Sequence, residues 1–151
     1  MAVEIGAGIR NLDEILWALM HRTLVFPEST NETVTLTCAG ANVWGAWTEI
    51  VDNNAVTFSS RISAAICDFA QITAVVVETC SVNDQRFMFE VAYGTPLVSI
   101  APFRVYSGAV PKQESVFKAG PIPAGNRVYY RGMCSQAGPQ SCTIHIRYSY
   151  H

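Results

Sequence analysis

Between Asn11 and Arg22 the apolar residues recur at helical spacing, with Leu12, Ile15, Leu16 and Leu19 on one face. Asn11 stands where an N-cap belongs, and Glu14, three positions on, is the reciprocal partner of a capping box. His21 and Arg22 put positive charge in the last turn, and Pro27 follows the stop. The pattern predicts a short amphipathic helix over 11–22. At about three turns such a helix is marginal alone, so its apolar stripe needs a surface to dock on.

After Pro27 the period changes from helical to two. Runs rich in Val, Ile, Thr, Tyr and Phe, broken by Gly, Pro, Asn and Asp, cover Glu32–Ala39, Ala46–Val51, Thr57–Ile66, Gln71–Cys80, Gln85–Tyr93, Leu97–Tyr106, a weaker Ser115–Lys118, Arg127–Cys134 and Ser141–Tyr150. Eight or nine short strands with no second helix pattern and no internal repeat predict an all-β fold. An antiparallel two-sheet β-sandwich is expected, with a jelly roll as the first topology and other Greek-key sandwiches as the second. The chain then divides into an N-terminal arm over 1–26, carrying the helix, and a sandwich over 27–151.

Two hairpins follow from the alternation. A three-residue loop at Asn83–Gln85 would pair Thr79 with Phe89, Val77 with Val91 and Val75 with Tyr93, sending Glu78, Met88 and Glu90 outward. A turn about Gly138 would set Tyr130 opposite Ile146, Gly132 opposite Ile144 and Cys134 opposite Cys142. The inward face would then be Val128, Tyr130, Ile144, Ile146 and Tyr148, and the outward face Arg131, His145 and Arg147. Cys134 and Cys142 are expected as close neighbours that stay reduced in a cytoplasm.

Composition narrows the class. The chain of 151 residues is one domain's worth, 50% hydrophobic and only 15% charged, which excludes disorder and makes self-association expected. Its net charge of −2 supplies no basic field for nucleic acid, so no nucleic-acid partner is expected. The start Met-Ala-Val-Glu-Ile-Gly lacks the basic residues of a secretory leader, and the first apolar run is too short to span a bilayer, so a soluble protein made without a leader and without a membrane partner is expected.

Chemistry is thin. The five cysteines, Cys38, Cys67, Cys80, Cys134 and Cys142, show no C-x-x-C pair and no matching His spacing, so no metal site and no cofactor is expected. There is no nucleophile elbow, and His21, His145 and His151 fall at a helix end, an outward strand position and the terminus. Asp13, Glu14, Asp52, Asp84, Glu78 and Glu90 are explained by a helix start, turns and an outward strand face. Gly6-Ala7-Gly8 lacks the third glycine and downstream acid of a dinucleotide site. With no leader expected, the sequon Asn31-Glu32-Thr33 is not expected to meet the glycosylating enzyme. Arg127, Arg131, Arg147 and His145, with Tyr129 among them, could form a basic stripe, which a solvated or subunit-facing sheet explains equally well. No catalytic residues are assigned.

The stretch Val43-Trp44-Gly45-Ala46-Trp47-Thr48-Glu49-Ile50, then Phe89-Glu90-Val91-Ala92-Tyr93-Gly94, then Ile122-Pro123-Ala124-Gly125-Asn126-Arg127-Val128 resembles the small jelly-roll modules of tailed-bacteriophage virion proteins. The likeness covers roughly Ala41 to His151, and the cysteines and the helical arm depart from it. In the last motif Pro123 fixes a turn, Gly125 supplies a positive φ and Arg127 opens the next strand. The resemblance implies a non-enzymatic virion structural protein, first a capsid decoration or cement protein. As such it would form a homotrimer through its jelly roll and dock on the major capsid protein, or on a neck or fibre protein. Leu12, Ile15, Leu16 and Leu19 of the arm would be the docking residues. A fibre, neck or tail-associated protein is the alternative within that class. A carbohydrate-binding sandwich using Trp44, Trp47 and Tyr129 is the alternative outside it, and a small enzyme stands third.

Overall fold

The computed structural model describes residues 23–109, 113–116 and 119–151. The helix expected over 11–22, with Leu12, Ile15, Leu16 and Leu19, lies outside the described residues. The strands are β1 (Leu24–Phe26), β2 (Val34–Cys38), β3 (Thr48–Glu49), β4 (Phe69–Cys80), β5 (Arg86–Tyr93), β6 (Val98–Tyr106), β7 (Gln113–Val116), β8 (Ile122–Pro123), β9 (Val128–Cys134) and β10 (Gln140–Tyr150). They form two antiparallel sheets, as a β-sandwich requires. In the larger, β10 pairs with β4 along one edge and with β1 and β2 along the other, while β4 also takes β7 and β8. The smaller runs β3-β9-β5-β6. Leu24–Phe26, grouped with the arm by the sequence pattern, is thus an integral strand of the larger sheet.

Alternation decides which face each strand buries. In β2, Val34, Leu36 and Cys38 are buried while Thr35 and Thr37 are exposed; in β9, Val128, Tyr130, Gly132 and Cys134 point in. The two inner faces share one core, with Phe26, Phe58 and Tyr148 in edge or tilted contact in one part and Phe87, Phe89 and Phe103 stacked in another. The Tyr130 hydroxyl ties the sheets together by accepting from the Thr37 N–H at 2.9 Å.

Three expectations are corrected. Thr57–Ile66 holds no long strand: Phe58–Ile62 is a 3-10 helix. The Thr57 hydroxyl accepts from the Ser60 N–H and the Ser60 hydroxyl donates to the Thr57 carbonyl, so local side-chain bonds win over a ladder while Phe58 and Ile62 still reach the core.

Neither expected hairpin forms. β4 and β5 lie in different sheets, Val75 and Val77 facing Ile146 and Ile144 of β10, and Phe89 and Val91 facing Gly132 and Tyr130 of β9. β9 and β10 also lie in different sheets, so Cys134 faces Phe87 and Cys142 faces Cys80. The connections at 81–85 and 135–139 arch from one sheet to the other, with left-handed backbone at Asp84 (φ 52°) and Gly138 (φ 82°). The inward faces survive, because Val128, Tyr130, Ile144, Ile146 and Tyr148 are all buried. Gly125 does take a positive φ, 77°, in the turn between β8 and β9.

Candidate interaction surface

The outer face of the smaller sheet is built by the outward positions of β9, Tyr129, Arg131 and Met133, flanked by Met88 and Glu90 of β5. The β3 register, Thr48 to Tyr130 and Glu49 to Tyr129, brings Trp47 alongside Arg131. Trp44 arrives from the loop after β2. Left-handed Ala41 (φ 57°) and Asn42 (φ 58°) turn that loop against β9, where Asn42 N–H donates to the Cys134 carbonyl and Gly45 N–H to the Gly132 carbonyl.

Arg131 organises the surface. Its guanidinium carbon lies 4.7 Å from the ring centroids of both Trp44 and Trp47, and its Nε and Nη2 reach Glu90 Oε2 at 2.8 and 2.6 Å. The Ser99 hydroxyl donates to Glu90 Oε1 at 2.5 Å. Burial alone pushes the Glu90 carboxyl up, but the Ser99 hydrogen bond and the Arg131 bond and charge together hold it below the ordinary carboxylate value. Beside this cluster a groove of about 420 Å³ is lined by Arg86, Met88, Arg104, Tyr106, Met133 and Asn42. Among the described residues neither Arg86 nor Arg104 has an acidic partner.

The sequence candidates separate. Trp44, Trp47 and Tyr129 do share this sheet face, half-buried, but the guanidinium occupies ring surface of both indoles. The basic stripe is divided between the sheets and paired throughout: Arg127 with Glu49 (3.7 Å) and Arg131 with Glu90 on the smaller sheet, His145 with Glu78 (3.1 Å) and Arg147 with Glu114 (2.7 Å) on the larger. Among the described residues no group of three or more His, Cys, Asp or Glu side chains is placed to hold a metal ion, and no helix is long and apolar enough to cross a membrane. The methionine and arginine groove was missed, because Met88, Arg104 and Met133 become neighbours only when three strands are placed in register.

No protein-family model, curated protein or solved structure matches this chain.

Proposed function

We propose that the protein is a bacteriophage virion structural component, a jelly-roll type of β-sandwich acting as a capsid decoration or cement protein. In this reading the sandwich trimerises through the outer face of the smaller sheet, and the arm over 1–22 docks on a capsid, neck or fibre protein. The observation that carries the assembly is the composition of that face, where Met88, Met133, Tyr106 and Arg104 line a groove and Trp44 and Trp47 pack on Arg131 beside it; the virion role rests on the sequence resemblance. Trp, Tyr, Met and Arg are the residues enriched at the centres of protein interfaces, and a face with this make-up buries well against protein. The low charge of 15% points the same way.

Light scattering on the full chain at micromolar concentration tests the assembly, with a trimer expected and Met133→Glu expected to yield a folded monomer. A monodisperse wild-type monomer overturns it. Deleting 1–22 is expected to leave a folded sandwich that no longer binds its particle, and retained binding would remove the arm from the docking role.

A further inference from the structure

Four of the five cysteines meet at one end of the sandwich. β2 leaves the larger sheet there at Cys38, and the two arches start from Cys80 and Cys134. Cys80 and Cys142 are directly opposed on β4 and β10, and their sulfurs are 3.2 Å apart. Next door, Ser81 N–H donates to the Ser141 carbonyl and Ser141 N–H to the Ser81 hydroxyl, each at 2.9 Å. By the alternation of an antiparallel ladder, this leaves Cys80 and Cys142 at a non-hydrogen-bonded pair, where side chains approach most closely. Opposed residues at such a pair have Cα atoms about 4.5 Å apart, inside the span a disulfide accepts. Cys38 and Cys134 also meet, through a side-chain hydrogen bond, but they stand on β2 and β9 of different sheets with no shared ladder, and each has a backbone partner as well: the Cys38 thiol donates to the Gln140 carbonyl at 3.3 Å, and Cys134 receives the Gln136 N–H at 3.5 Å.

We propose that Cys80 and Cys142 are a redox site that takes a small-molecule disulfide of the oxidised-glutathione class as its oxidant and closes into a staple between β4 and β10. Cys80 is half-buried and Cys142 fully buried, so Cys80 is the sulfur the oxidant can reach. Its thiolate attacks one sulfur of the oxidant; the oxidant's S–S bond breaks, and the first small thiol leaves with a proton. Cys142, deprotonated, then attacks the Cys80 sulfur of the mixed disulfide, and the second small thiol leaves with the other proton. Two protein thiols are oxidised and one small disulfide is reduced to two thiols. Burial raises both protein thiols above the ordinary value. Their mutual hydrogen bond works the opposite way on Cys80 while adding to the rise at Cys142, so the negative charge forms first on Cys80. The site is therefore slow at neutral pH and faster in alkali.

The test is oxidation of the full, reduced chain with excess oxidised glutathione, alkylation of remaining thiols in denaturant, and peptide mapping by mass spectrometry without reductant. Two fewer alkylated thiols and a cross-linked pair of peptides carrying Cys80 and Cys142 are expected, with a rate that rises between pH 7 and 9. Cys80→Ser is expected to leave Cys142 reduced with no glutathione adduct. Five alkylatable thiols after exposure, a cross-link mapped to Cys38 and Cys134, or a glutathione adduct on Cys80 that Cys142 never resolves would each overturn the proposal.

Discussion

Arg131 holds Glu90 through two nitrogens on a single carboxylate oxygen, at 2.8 and 2.6 Å, while its guanidinium carbon stays 4.7 Å from two indole centroids. The planar guanidinium can do both at once, which an ammonium cannot. Arg131→Ala is expected to cost roughly 1–3 kcal/mol, because Glu90 is left partly buried without its cation. Arg131→Lys is expected to recover only part of that loss. Urea unfolding followed by tryptophan fluorescence checks both values, since Trp44 and Trp47 lose a stacked neighbour in each variant.

The same carboxylate makes acid stability testable. Glu90 sits below its ordinary value of 4.5 in the folded chain, so its ionised form is favoured by folding. Its contribution is present above the unfolded value and is lost as pH falls through the lower, folded one. Glu90→Gln is expected to flatten that part of the stability profile below about pH 4.5. An unchanged slope in urea titrations across the acid range would show that the Arg131 pair does not stabilise the carboxylate.

Alkali acts in the opposite direction. Burial, with the neighbouring Cys134 adding to it, raises the Cys38 thiol from 9.0 to about 12, and burial raises the Tyr148 hydroxyl from 10.0 to about 12. Both neutral forms are favoured by folding. The stability they lend is complete below the unfolded values and is lost as pH rises through the folded ones, so unfolding should become easier from about pH 9 to 12. Chemical denaturation at successive pH values is expected to show the decline, with a smaller one in Tyr148→Phe.

Two glycines should resist substitution for different reasons. A Cβ at Gly132 would stand 2.7 Å from the Phe89 ring and 2.9 Å from Cys38 Cβ, an overpacked contact between the sheets costing roughly 1–3 kcal/mol. At Gly40 the obstruction is the backbone of Gly138 and Gln136, which no rotamer change relieves. Gly40→Ala is therefore expected to be the more damaging of the two, read as a lower thermal midpoint.

Tyr130 carries a test of the join between the sheets. Its hydroxyl accepts from Thr37 N–H at 2.9 Å and faces the Thr35 carbonyl at 3.5 Å, so a side chain of β9 closes backbone groups on the edge of β2 away from β10, between the bridges at Val34 and Ala39. Tyr130→Phe keeps the ring and removes the bond. A loss of about 1 kcal/mol is expected, with faster amide exchange at Thr37. Unaltered exchange there would mean the hydroxyl does not protect that edge.

Much of this architecture is local information. Side chains alternate across a strand with period two, so the residues of β9 and β10 that point inward, from Val128 to Tyr148, were readable without knowing their partners. A turn that demands φ > 0 was equally readable at Gly125. Pairing is not local. Five-residue connections such as 81–85 and 135–139 can return a strand beside its predecessor or carry it across to the other sheet, and the hydrophobic pattern is the same in both cases. Only the mutual burial of both sheets' inner faces decides between them, and it chose arches. Cys142 therefore meets Cys80 instead of Cys134, and Arg131 shares a surface with Trp44 and Trp47 but not with Arg147. The composition of each strand was present in the sequence from the start, whereas the neighbours across the ladder, and with them both surface clusters, arise from contacts between residues tens of positions apart.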